Sequence, residues 1–270
     1  MRAPSLAHLI LTLLILALLE FTGPGPARAA LDLSERARVV EVIDGDTLLL
    51  DDGRPVRLVG IQSPKLPLGR AGFEAWPLAE EAKAALAALT LGRDVALGYG
   101  GRRNDRHGRE LAHLYLLEGT GEAGLWVQGA LLEAGMARVY SFADNRALVA
   151  EMLARERRAR ANRRGIWADP FYAVRTPERV EGHAGSFQLV EGNVLKAAKV
   201  KGRIYLNFGE DWKSDFTITL CPAARRVFEA EGIDPLGYGG KRVRVRGWIE
   251  SFNGPMIEAS HPEQIEVIED

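Results

Sequence analysis

The sequence predicts a mainly β protein with helices (α+β), built as two small OB-type β-barrels in tandem. Apolar and polar residues alternate on short segments joined by the turn pairs Asp44-Gly45 and Asp52-Gly53. The same alternation returns after residue 187, and 270 residues is more than one small barrel needs. Residues 170–186 carry Pro, Gly and charge without periodicity and read as a linker. The expected division is an export signal at 1–29, a first barrel at 36–169, the linker at 170–186 and a second barrel at 187–270.

The leading segment places Arg2 before an apolar run from Leu9 to Leu19, with Ala27 and Ala29 as small residues at a cleavage site. That run is too short to span a bilayer, so the expectation is an exported protein, periplasmic or secreted, with no membrane attachment after cleavage. In the first barrel, Val40 and Val42 and then Thr47 and Leu49 alternate on successive arms of an expected hairpin turned at Asp44-Gly45, and Val56 to Ile61 follows the second turn. Leu78 to Leu89 has an apolar stripe and begins after Pro77, which predicts a helix. Strands are expected at Asp94 to Tyr99 and Leu111 to Leu117, with helices at Trp126 to Ala134 and at about 145–162. This β-β-β-α-β-β-α order suits an OB-fold barrel with a terminal helix. After the linker the expected strands are Leu189–Leu195, Arg203–Phe208, Phe216–Leu220, Arg242–Ser251 and Pro255–Glu258, with a helix from Pro222 to Glu231.

Composition narrows the chemistry. A single cysteine, Cys221, excludes an intramolecular disulfide, and the scattered histidines have no zinc-site spacing. The net charge is −1, so no global field collects polyanions and nucleic-acid contact must rest on local patches.

Four segments carry a motif. The first is Val42-Ile43-Asp44-Gly45-Asp46-Thr47, followed by Arg57 and by Gln62-Ser63-Pro64-Lys65. The second runs from Arg102 to Ala112 and includes His107-Gly108-Arg109. The third is Val127 to Val139, and the fourth is Gly165-Ile166-Trp167 after a charged helix. In order and spacing they resemble the staphylococcal nuclease (thermonuclease-like) family over Arg36 to Asp169. A weaker resemblance links Tyr205 to Gly209 and Asp215 to Thr217 with OB-type modules appended to exported nucleases.

The family resemblance implies phosphodiester hydrolysis with one calcium ion, two arginines and a glutamate. It assigns Asp46 as a metal ligand, Asp44 as a supporting carboxylate and the Ser63 carbonyl as a further ligand. It also makes Arg57 and Arg109 a phosphate clamp, a task that suits the bidentate guanidinium. Gln62 stands where the family has a calcium-ligating aspartate, Lys65 where it has the general-base glutamate, and His107 where a tyrosine is usual. Gln62 offers an uncharged oxygen and Lys65 adds a cation, so calcium binding is expected to be weakened or absent. Loss of the base alone costs roughly 10²- to 10⁴-fold in rate. Glu74, on a loop with Gly69 and Gly72, is a candidate substitute base. Asp44-Gly45 is equally a favoured turn pair whatever the function.

Two further regions bear on nucleic acid. Arg146 to Arg164 holds seven arginines, but they surround the helix as a solvated charged helix with Glu151 and Glu156 would also have them. Arg242, Arg244, Arg246 and Trp248 alternate along one strand and should share a face, either a stacking platform for single-stranded nucleic acid or a solvated outer surface. Three readings stay open: a phosphodiesterase acting on nucleic acid, an inactive nucleic-acid or polyanion binder, and a periplasmic protein-interaction module.

Overall fold

Alternation along Glu35–Asp44 (β1) leaves Arg36, Arg38 and Val40 outside and buries Val39, and a bulge between Val39 and Glu41 then shifts the register so that Val42 is buried as well. The chain turns through Gly45 and Asp46 into Thr47–Leu50 (β2), then at Gly53, whose φ of 85° suits a residue without a side chain, into Pro55–Leu58 (β3). The computed structural model describes residues 31–119, 121–211 and 213–269; the expected export signal lies outside them. Next come Ile61–Gln62 (β4), the helix Ala79–Thr90 (α1), Asp94–Gly98 (β5), Glu110–Leu117 (β6) and Ala123–Trp126 (β7). Val127–Glu133 (α2), Arg138–Val139 (β8) and Val149–Ala161 (α3) complete the first half.

β1 serves two partners, pairing through Glu35–Arg38 with β5 and through Val39–Asp44 with β2. The strand order β3-β2-β1-β5-β6 closes on itself because β3 pairs in parallel with β6, from Val56↔Glu110 to Leu58↔Ala112. The result is a closed five-stranded mixed barrel filled by Val39, Leu48, Leu50, Leu58, Leu97 and Leu114, all inaccessible to solvent. β4 pairs with β8 outside the barrel, setting Gln62 opposite Arg138.

The second half contains Phe187–Asn193 (β9), Lys196–Val200 (β10), Arg203–Asn207 (β11), Thr217–Leu220 (β12), Pro222–Ala230 (α4), Arg242–Trp248 (β13), Glu250–Ser251 (β14), Pro255–Glu258 (β15) and Ile265–Val267 (β16). Again a helix follows three antiparallel strands, and β12 pairs in parallel with β15 as β3 does with β6. Here, though, the ladders form two sheets, β10-β11-β12-β15-β14 and β16-β13-β9, and not one closed barrel. Their shared core is built on Val190, Leu206, Ile218, Phe228, Val243 and Ile257.

The segment expected to be a linker is pinned down. Tyr172 donates its hydroxyl to the Pro77 carbonyl at 2.7 Å, Arg175 N–H bonds the Leu189 carbonyl at 2.9 Å, and Val180 is buried in the second core. Residues 32–270 accordingly group as one compact unit. Among the described residues no helix is long and apolar enough to cross a membrane.

Candidate functional site

The β1–β2 hairpin carries Asp44 and Asp46 into the interior, where Asp46 is wholly shielded from solvent. Its tip presses on the following loop. A Cβ at Gly45 would sit 2.7 Å from Ser63 Oγ and 2.8 Å from Ala82 Cβ, so only glycine permits this approach. Ser63 N–H then donates to Asp46 Oδ2 at 2.8 Å. Lys65 reaches back between the two carboxylates, with Nζ 2.5 Å from Asp46 Oδ2 and 3.1 Å from Asp44 Oδ2, and Arg57 Nη2 lies 3.2 Å from Asp46 Oδ2. Burial by itself would raise the Asp46 pKa. The charges of Arg57 and Lys65, with hydrogen bonds from Lys65 and Ser63, outweigh it and hold the group at about 2.

This donor set does not fit the calcium ion that the family resemblance implies. Calcium takes six to eight oxygens at about 2.3–2.6 Å. Both carboxylates here already hold an ammonium group, and Gln62 Oε1 accepts from Arg138 Nε at 3.0 Å and Nη2 at 2.7 Å. No group of three or more His, Cys, Asp or Glu among the described residues could hold a metal ion.

The two arginines of the expected clamp differ. Arg57 is an internal brace: Nη1 donates to the Leu58 carbonyl at 2.7 Å, and Nη2 to the Ile61 carbonyl at 2.6 Å. Arg109 is more open. It grips Asp105 through Nε at 2.8 Å and Nη2 at 2.7 Å, and turns Nη1 towards Thr47 Oγ1 at 3.5 Å. Both line a cavity of about 540 Å³, together with Arg102, Arg106 and, from the second half, Trp248. Glu74 is exposed and makes no ion pair with Lys65; its loop is tied to the site by Trp76 N–H donating to the Lys65 carbonyl at 2.9 Å.

The alternation of Arg242, Arg244, Arg246 and Trp248 does not make one exposed face. Arg246 is 1% exposed, and its guanidinium bonds both oxygens of Glu156 on α3 at 3.0 Å and Glu266 at 2.6 Å. Arg242 and Arg244 both pair with Glu191 on β9. The face packs against the first half at Arg246, which is consumed in an ion pair, and leaves Arg242 and Trp248 exposed at its two ends. The arginine-rich helix is paired too, Arg155 with Glu151, Arg157 with Glu266 and Arg160 with Glu156.

Sequence reasoning missed Arg138, Arg102 and Arg106. Arg138 is buried against the rings of Trp76, Tyr172 and Phe187, and burial lowers its pKa to about 10. It faces Gln62 from 76 residues away, so no local pattern announces it. Arg102 and Arg106 stand in the same segment as Arg109, where a run of basic residues was the available signal.

The chain is similar in sequence to known proteins. Residues 55–169 match the family model described as staphylococcal nuclease homologue. The chain is 37% identical over 141 residues to Protein ParB of Escherichia coli, covering 50% of this chain and 73% of that one. It is 34% identical over 137 residues to an uncharacterized endonuclease of Escherichia coli O157:H7, covering 49% and 76% respectively. Against the thermonuclease of Staphylococcus hyicus it is 24% identical over 166 residues, covering 59% and 94%.

Proposed function

The chain belongs to the staphylococcal nuclease homologue family, and from that premise we propose that it is an exported nucleic-acid-binding protein in which Lys65 takes the place of a metal ion and phosphodiester hydrolysis is severely impaired. The observation that carries this reading is the Lys65 ammonium, 2.5 Å from Asp46 and 3.1 Å from Asp44. A tethered cation neutralises the carboxylates but cannot lower the pKa of a bound water or bridge to the phosphoryl oxygens as a divalent ion does. Asp46, held at about 2, is too weak a base to activate water at neutral pH. Export is read from the apolar run at Leu9–Leu19.

What remains is anion binding. Arg109, Arg102 and Arg106 offer guanidinium groups to the cavity, and Arg57 fixes the cavity wall by holding the carbonyls of Leu58 and Ile61. Phosphate contacts of this kind release counterions, so affinity should fall steeply with salt.

A second reading, a nuclease with a rearranged metal site, is favoured by the names of two relatives, thermonuclease and uncharacterized endonuclease. Incubating purified mature chain with single-stranded DNA, in calcium and in chelator, separates the two. The proposal expects salt-sensitive binding by anisotropy and no calcium-stimulated cleavage. Calcium-stimulated cleavage that disappears in both Asp46→Ala and Arg109→Ala would establish the nuclease instead.

A further inference from the structure

We propose that Trp248, supplied by the second half of the chain, is a base-stacking wall of the arginine cavity and commits it to unpaired nucleotides. The inference rests on the nucleic-acid reading above but not on catalysis. Trp248 ends β13, where that strand emerges past the buried Arg246, and it is 45% exposed. Its indole is held at two points. Nε1–H donates to the Tyr140 hydroxyl at 2.9 Å, and the ring meets Phe187 edge-on at 6.4 Å and 78°. A large aromatic ring fixed in this way and still exposed is a preorganised surface, because little side-chain freedom is lost when a base lies on it.

The cavity beside it supplies the rest of a nucleotide site. Phe142, 48% exposed and edge-on to Tyr140 at 4.9 Å, lines the same cavity. Arg102 and Arg106 bring positive charge to it, and the ion pair of Arg102 with Asp144, at 3.9 Å between largely exposed side chains, is of the kind that yields readily to a competing phosphate. Cationic groups next to aromatic faces are the recurrent arrangement for single strands, where every base presents a π face. In a duplex those faces are covered by neighbouring bases. A volume of about 540 Å³ falls within the ~300–1,000 Å³ of small-ligand sites, enough for an unpaired nucleotide. Two halves of one chain thus build one cleft, with phosphate contacts from the first and a stacking wall from the second.

The test measures anisotropy of the full mature chain with three labelled ligands: a single-stranded oligothymidine, an abasic strand of the same length and charge, and a duplex. Wild type should prefer oligothymidine over both others. Trp248→Ala should weaken oligothymidine binding by roughly 5- to 150-fold and leave the abasic strand unchanged, the salt slope should stay the same, and Trp248→Phe should recover most of the loss. Should Trp248→Ala fold poorly, Phe142→Ala, at a second exposed ring of the same cavity, should show the same base-specific loss. If wild type binds oligothymidine and neither variant weakens it, the stacking wall is overturned and the nucleic-acid reading stands. Failure of wild type to bind any of the three overturns both.

Discussion

Arg246 on β13 and Glu156 on α3 form a buried bidentate ion pair, both N···O distances 3.0 Å, that joins the two halves of the molecule. Glu156 also accepts the Val139 N–H at 2.6 Å and a bond from Arg160 at 2.8 Å, while Arg246 adds Glu266. Burial opposes ionisation of Glu156, but Arg246 and Arg160 overcome it and its pKa falls below the usual value. Removing Arg246 takes away the bidentate partner of a charge that stays in the interior, held then by Arg160 and the Val139 N–H alone. Arg246→Ala should therefore cost about 3–5 kcal/mol in urea denaturation. A change below 1 kcal/mol would mean that the pair adds nothing to the joint.

Stability should fall with acid well above the range of ordinary carboxylates. Burial depresses His113 and His261 from 6.5 to about 4, so the folded protein keeps them neutral where the unfolded chain takes up protons. A depressed histidine pKa removes stability as pH falls from 6.5 towards 4, of the order of 3 kcal/mol per group. Asp46 acts lower down: its contribution is present above 3.8 and lost as pH falls towards 2. Melting temperature measured from pH 7.5 to 4 should drop steadily, and His113→Phe should flatten part of that slope. A flat wild-type profile over this interval would contradict the neutral-histidine assignment.

Arg57 and Arg109 should separate cleanly. Arg57→Ala leaves the carbonyls of Leu58 and Ile61 without their donor and should destabilise the fold by about 1–3 kcal/mol. Arg109→Ala, at a partly exposed side chain, should change stability less and abolish thermal protection by a nucleoside bisphosphate. Equal protection of Arg109→Ala and wild type would remove Arg109 from the anion site.

How much of this was legible differs from element to element. The β1–β2–β3 meander and α1 could be read because turn pairs and periodicity are local signals. β4 and β8 have two residues each and exist only because Ile61 meets Val139 across the fold, which no window detects. The Arg246 expectation failed for a related reason. Alternation correctly put it on the Trp248 side of the strand, but the partner that buries it, Glu156, lies 90 residues away. At the site, the motif identified Asp44, Asp46 and Lys65 as neighbours. That Lys65 turns inward onto both carboxylates, and that Gln62 is held by Arg138, depends on side-chain directions fixed only by packing.

If Lys65 stands where the family places a metal, calcium titration calorimetry shows it most directly. Wild type should give no calcium binding, or binding far weaker than the Gln62→Asp, Lys65→Glu double variant, in which the internal cation is removed and two carboxylates are restored. Equal calcium affinity in wild type and double variant would contradict the account.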